Sequence, residues 1–480
     1  MRRYCLKTAP LVNSGTTPDG DVRPLKPPRL LPDRIIVVSD LHLGEGVDPV
    51  RGSVSGEHFF HDREFETWLD RLNRRETRRG RRVELVLNGD AFDFLRVVRL
   101  PETPQAVAEW RRLLVAARVR YVPAELRRAA ERRFRFRERV FGFGTDEPGG
   151  VWKLSVIAAA HQPVVRALAR WCRAGHSLVI IRGNHDQDWT WPGVRRAFLA
   201  LLRRAGAGSL RRGQVRFRPR AYRRANVYIE HGHGADWLTC AERDVLEGSP
   251  ARLRLPFGSL ITRYVINVLE RRVPPRGSVP PSRRLAEAIR QHPWRMVPDI
   301  AANALRAIPL IGLSGWKPWF QRLLRWWPAR VSMTMSSALL AAVPLVPLVG
   351  RHPWHHSTAC MAASLFGMGL PIAGFMARQV AAQIDPEALV AEVRRYARRV
   401  AATLRGSGPR RRYLVLGHSH RPEACEWAHE RHSVVYLNAG AWLPQAEGPA
   451  DAVTPCFVWL ARRGDAYVRH RLLKLDAVAH

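Results

Sequence analysis

The chain has 480 residues, 46% apolar and 25% charged. That suffices for a large buried core and excludes a disulfide mini-protein, a fibrous repeat and a fully disordered chain. Basic residues number 78 against 42 acidic, a net charge of +36, and only five of the 78 are Lys. The surplus favours anionic partners such as phosphate groups, acidic headgroups or nucleic acid.

In chain order, residues 1–32 are polar and Pro-rich, without the apolar centre of a signal peptide, and read as a flexible tail. Five short apolar runs then read as buried strands. Ile35 to Val38 runs into Ser39-Asp40-Leu41-His42, and Val83 to Leu87 into Asn88-Gly89-Asp90. Leu178 to Ile181 runs into Gly183-Asn184-His185-Asp186, and Val227 to Ile229 into Glu230-His231-Gly232-His233. Tyr413 to Leu416 runs into Gly417-His418-Ser419-His420. Val434 to Leu437 and Cys456 to Leu460 read as closing strands.

Helical spacing appears in Phe59 to Asn73, Gln162 to Ala174 and Ala388 to Leu404, and residues 104–140 read as a long Arg-rich helical stretch. Between the fourth and fifth clusters, 245–385 holds the basic, Trp-rich piece Lys317 to Trp327. Two uncharged stretches follow, Val331 to Gly350 and Ser357 to Ala377. Each is near the ~20 residues needed to cross a hydrocarbon layer. A membrane hairpin at 331–377, an apolar membrane-facing lid and a packed helical subdomain all fit; Trp and Arg beside apolar segments favour a membrane interface. The six cysteines (Cys5, Cys172, Cys240, Cys360, Cys425 and Cys456) are scattered without a C-x-x-C pair, which reads as a reducing compartment. The expected location is therefore cytoplasmic and membrane-associated.

Each cluster taken singly is common; five, each behind a strand, point to one shared site at the carboxyl ends of a layered α/β protein. Asp40 and His42, two apart in an extended loop, face one side, as do His418 and His420. Asp90 adds a carboxylate, Asn184 an amide oxygen and His231 an imidazole. This mixture suits Mn²⁺, Fe²⁺, Zn²⁺, Co²⁺ or Ni²⁺. Seven donors exceed the needs of one catalytic ion and suit two ions sharing a carboxylate. Such a pair lowers the pKa of a bridging water and clamps phosphoryl oxygens, while a nearby His supplies the leaving group's proton.

Through Asp40-Leu41-His42, Gly89-Asp90-Ala91-Phe92-Asp93, Gly183-Asn184-His185-Asp186, His231-Gly232-His233 and Gly417-His418-Ser419-His420, the chain resembles the calcineurin-like metallophosphoesterase superfamily. Ser39 to Gly44, Phe92-Asp93-Phe94, Arg421-Pro422 and Asn438 to Trp442 extend the resemblance to the branch containing UDP-2,3-diacylglucosamine pyrophosphatase. That branch typically has Arg at the position of His185 and His-Gly-Asp at that of His231-Gly232-His233. The resemblance implies an α/β fold, a four-layer αββα sandwich over 33–242 and 405–475; it does not cover the Arg-rich helical insertion at 104–150 or the apolar, Trp-rich helical insertion at 245–385, a lid or membrane-associating element. It implies one ion on Asp40, His42, Asp90 and His420, and a second on Asp90, Asn184, His231 and His418, with Mn²⁺ preferred. His185 becomes the proton donor or phosphate contact, oriented by Asp186. Asp93 supports a ligand, and His233 is an alternative to His231. The expected substrate is a lipid-linked phosphate or nucleotide-lipid diphosphate at a membrane surface. A nucleic-acid phosphodiesterase and a non-catalytic membrane-anchored adaptor are the competing functions. The phosphodiesterase reading predicts steeply salt-dependent binding; the adaptor reading predicts no bound metal.

Overall fold

Two mixed β-sheets organise the protein. The computed structural model describes residues 31–46, 56–121, 123–236, 238–240, 246–247, 251–271, 287–288, 291, 386–404, 411–429, 432–443 and 455–475. The chain divides into two compact units, one of Met1–Leu305 with Val393–His480 and one of Arg306–Glu392. The architecture below is that of the first.

The first sheet contains β1 (Arg34–Val38), β2 (Val83–Asn88), β3 (Ser177–Ile181), β4 (Val215–Arg218), β12 (Cys456–Arg463) and β13 (Ala466–Lys474) in the order β13-β12-β1-β2-β3-β4. β1 to β4 are parallel; β12 and β13 close one edge antiparallel. The second sheet contains β5 (Ala221–Arg224), β6 (Val227–Glu230), β9 (Arg411–Leu416), β10 (Pro422–His429) and β11 (His432–Ala439) in the order β10-β11-β9-β6-β5. Its central β6, β9 and β11 are parallel. β7 (Leu246–Glu247) and β8 (Arg252–Leu253) form a separate ribbon.

Alternation explains why these runs are strands buried on both faces. Ile35, Val37, Val86, Val179 and Ile181 of the first sheet share one apolar cluster with Val227, Ile229, Tyr413, Val415, Val435 and Leu437 of the second. The intervening residues Ile36, Val38, Leu85 and Leu87 are equally buried on the opposite face. Strands covered on both sides read as continuous Val/Ile/Leu runs, as these do. Outside the sheets, α1 (Asp62–Arg78) packs on α6 (Gln162–Arg173). Its Phe65 and Trp68 rings meet Trp442 at 5.2 and 5.4 Å between centroids.

The Arg-rich stretch is not one long helix. It is α2 (Pro104–Ala116), α3 (Pro123–Ala130) and α4 (Phe136–Phe141), followed by α5 (Glu147–Ala160). Arg118 and Arg132 adopt left-handed φ of 51° and 55°, and Pro123 starts the next helix. A left-handed residue or a proline ends helical hydrogen bonding, which periodicity alone does not register. α7 (Pro192–Leu202) precedes β4. α8 (Phe257–Ile261) continues through a π-turn at Thr262–Ile266 into α9 (Asn267–Glu270), and α10 is Pro386–Thr403.

Residues 1–30 of the tail expected over 1–32, and the uncharged stretches 331–350 and 357–377, lie outside the described residues. Among the described residues no helix is long and apolar enough to cross a membrane. Cys172, Cys425 and Cys456 are not in disulfides, whereas Cys240 is disulfide-bonded, which the scattered spacing did not predict.

Candidate metal centre

Parallel strands put their carboxyl ends on one edge, so the loops after β1, β2 and β3 are neighbours, as are those after β6, β9 and β11. Main-chain bonds zip the first two together: Asp40 N donates to Gly89 O at 3.2 Å and His42 N to Asp90 O at 2.8 Å. Within the second sheet Gly417 N donates to His231 O at 2.9 Å, and the two sheets are joined at the site where His418 N donates to Asp40 Oδ2 at 3.0 Å.

The loops turn sharply. Asp40, His42, Asp90, His418 and His420 all adopt left-handed φ, from 49° to 67°. Side-chain-bearing residues pay for that conformation, and it concentrates at functional sites. Two glycines are required for another reason. A Cβ on Gly183 would lie 2.1 Å from Asp90 Oδ1, and one on Gly417 would lie 2.0 Å from Ser39 Oγ and 2.6 Å from Asp40 Oδ2. The glycine before a ligand in one loop makes room for the carboxylate of another.

The side chains converge in neighbouring groups. Asp40, His42 and His420 each place one donor atom within 4.8 Å of the others, and so do Asp90, His231 and His418. Asp40 Oδ1 is 3.3 Å from His420 Nε2 and 3.9 Å from His42 Nε2. Asp90 Oδ2 lies between the groups, 4.0 Å from His42 Nε2 and 3.1 Å from His231 Nε2. Asn184 Oδ1 is 3.2 Å from the same His231 nitrogen. His420 is the exposed member; Asp40, Asp90, Asn184 and His231 are buried.

A cation fits these donors. Two ligand atoms each about 2.0–2.2 Å from one ion stand roughly 3–4.4 Å apart, the range seen here. His42 Nε2 is a buried nitrogen without a hydrogen-bond partner, while its Nδ1 is held by Asp93 Oδ2 at 3.0 Å. His231 Nδ1 is likewise held by Asn88 O at 3.0 Å, which aims Nε2 at Asp90 and Asn184. Carboxylate or carbonyl backing of the far nitrogen is how ligand imidazoles are oriented.

Charge shifts follow the packing. Burial pushes His231 down, but Asp90 and Asp40 outweigh it and lift it to about 10. Burial pushes His418 down to about 3, reinforced by His231. Burial also lowers His42 against the pull of Asp93. Asp90 stays well below the usual carboxylate range: burial opposes ionisation, and His231 and His185 overcome it.

His185 is oriented by Asp93, not by Asp186. Its Nδ1 sits 2.9 Å from Asp93 Oδ2, the oxygen that also holds His42. Asp186 instead accepts from Gly183 N at 2.5 Å and Ala91 N at 3.3 Å, bracing the two loops from behind. The resemblance implied the pair; the turn after Gly183 sends the neighbouring side chains apart. His185 N also donates to Asp90 Oδ1 at 2.7 Å. His233 is in none of the metal-capable groups among the described residues, its ring 5.5 Å from that of His231.

Several contributors had no assigned role in the sequence reading. Ser39 Oγ donates to Asp40 Oδ2 at 2.5 Å, and Thr239 Oγ1 lies 3.3 Å from His418 Nε2. Asn438 Nδ2 donates to Gly417 O at 3.0 Å, fixing the fifth loop, and Trp442 N donates to Asp40 O at 3.3 Å. Ser39, Asn438 and Trp442 stand in motifs that carry the resemblance, whereas Thr239 carries no local signal. No family model matches the chain, and no curated protein matches it.

Proposed function

We propose that the chain is a dinuclear-metal hydrolase of phosphoester or diphosphate bonds, a calcineurin-like metallophosphoesterase whose two sheets form the centre of a four-layer αββα sandwich. One observation carries the reading. Donor atoms from five loops on two sheets face each other at ion-spanning distances, with the carboxylate of Asp90 between two groups. Asp40, His42, Asp90 and His420 would hold one divalent cation, and Asp90, Asn184, His231 and His418 the other, with Mn²⁺ first among Mn, Fe, Zn, Co and Ni. When bound, the ions supply Lewis-acid charge at the phosphoryl oxygens and lower the pKa of a shared water.

The chain's own residues do the rest. Asp93 fixes both His42 and His185 through one oxygen, so ligand and proton donor move together. Burial opposes protonation of His185, but Asp93 and Asp90 raise its pKa, so the imidazole is supplied with the proton a leaving oxygen needs. The uncharged stretches and the Trp-rich piece favour a lipid-linked phosphate or a nucleotide-lipid diphosphate, UDP-2,3-diacylglucosamine-like, met at a membrane surface.

The test is hydrolysis of bis-p-nitrophenyl phosphate and of a UDP-lipid by the purified chain with Mn²⁺, alongside metal analysis. About two ions per chain and metal-dependent turnover are expected. Asp90→Ala should abolish turnover and lower the bound metal, because it removes the carboxylate oxygen that stands 3.1 Å from His231 Nε2 and 4.0 Å from His42 Nε2. Wild-type activity in Asp90→Ala would refute the assignment.

A further inference from the structure

A helical run outside the five clusters reaches the same loops. From α8 through the π-turn to α9, Ser259, Arg263, Asn267 and Glu270 recur at steps of four, four and three, which places them on one face. A polar stripe on a helix ordinarily faces water. Here all four residues are at most 3% exposed. Ser259 Oγ donates to Asn184 O at 3.1 Å, and Asn267 Nδ2 donates to Leu95 O at 2.8 Å. Arg263 Nη2 donates to Phe141 O and Phe143 O. Glu270 Oε2 accepts from Arg96 Nη1, with His58 Nε2 at 3.9 Å. The face is therefore bonded to the main chain of one proposed ligand, Asn184, and to the segment that follows Asp93.

Arg96 is the joint. Its Nε lies 3.4 Å from Asp93 Oδ2, the oxygen shared by His42 Nδ1 and His185 Nδ1. A buried guanidinium thus stands between two fully buried carboxylates, Asp93 and Glu270. Removing the Glu270 charge leaves Asp93 as the nearer carboxylate for the whole guanidinium. A forked Arg–carboxylate pair would then compete with the two imidazoles for one oxygen.

We infer that Glu270, acting through Arg96, is a positioning residue that keeps Asp93 aligned with His42 and His185, and that the helix carrying it belongs to the metal site. The inference rests on the dimetal reading above. It moves this part of 245–385 from an expected lid or membrane element to the framework of the centre.

The experiment is a Co²⁺ titration of the full chain followed by visible absorption, with thermal melts, for wild type, Glu270→Gln, Arg96→Lys and the control Val265→Ala. Glu270→Gln and Arg96→Lys should each shift the cobalt band and weaken binding about tenfold, the effect expected for groups behind a metal ligand. On bis-p-nitrophenyl phosphate with Mn²⁺, both should lower kcat with little change in KM; Val265→Ala should match wild type. Arg96→Lys keeps a cation for Glu270 but lacks the Nε that reaches Asp93, so it tests the joint if Glu270→Gln does not fold. Wild-type cobalt spectra and affinity in the folded variants overturn the inference alone. Absence of Co²⁺ binding by the wild type overturns the dimetal reading and this inference with it.

Discussion

Replacing Gly183 by Ala tests the centre through a single methyl group. The added carbon would sit 2.1 Å from Asp90 Oδ1 and 2.6 Å from Asp90 N, whereas Cβ contacts under 3.0 Å essentially never occur. The carboxylate must therefore retreat by about 0.9 Å, and because the second contact is main chain, the loop must move with it. That movement also strains the 2.7 Å bond from His185 N to Asp90 Oδ1. Metal ligands tolerate displacements of only about 0.2 Å, and a misplacement near 1 Å costs roughly 100-fold in rate. Overpacking of this kind costs about 1–3 kcal/mol of stability, which a domain this size survives. Gly183→Ala should thus fold, melt somewhat lower, hydrolyse bis-p-nitrophenyl phosphate about 100-fold more slowly and retain less metal. Gly80→Ala is the control: its φ of 61° strains an alanine, but nothing lies within 4 Å of the added carbon, so stability should fall while rate does not. A Gly183→Ala variant with the wild-type rate and metal content would refute the crowding argument and the place given to Asp90.

The two carboxylates near His185 separate by substitution: Asp93→Asn should reduce turnover far more than Asp186→Asn, because only Asp93 holds His185 and His42, and the reverse order in kcat would restore Asp186 as the orienting group. Stability should depend on pH through a buried cluster away from the proposed metal centre, where His161 lies 3.0 Å from both Glu57 Oε2 and Asp62 Oδ1. Burial pushes His161 down, but Glu57 and Asp62 lift it to about 10; burial also opposes the Glu57 charge, and His161 overcomes it to hold Glu57 low. The His161 contribution is complete below its ordinary 6.5 and fades as pH rises towards 10, while that of Glu57 is present above its ordinary 4.5 and fades on acidification. The stability gap between wild type and His161→Gln in urea melts should accordingly shrink between pH 6.5 and 10; a constant gap would show that His161 is not charged in the fold.

Sequence alone determined the strands that are unbroken apolar runs, though not β4, β5, β10 or β13, and the identity of most of the converging side chains. The reason is local: a strand buried on both faces must be an unbroken apolar run, as in Ile35 to Val38, and a ligand loop at its end must be polar, glycine-bearing and abrupt. Both signatures lie within a dozen residues, so they survive without a structure. What depended on distance in sequence was decided only by folding. That Asp93, ninety-two positions from His185, orients it in place of neighbouring Asp186 follows from where β2 and β3 end side by side. That the Arg-rich stretch breaks at Arg118 and Arg132 follows from single backbone angles that no periodicity records. Glu270 reads locally as one more acid on a helix. Its role exists because burial sets it against Arg96, and a charge removed from water is stable only where the fold has already placed its partner.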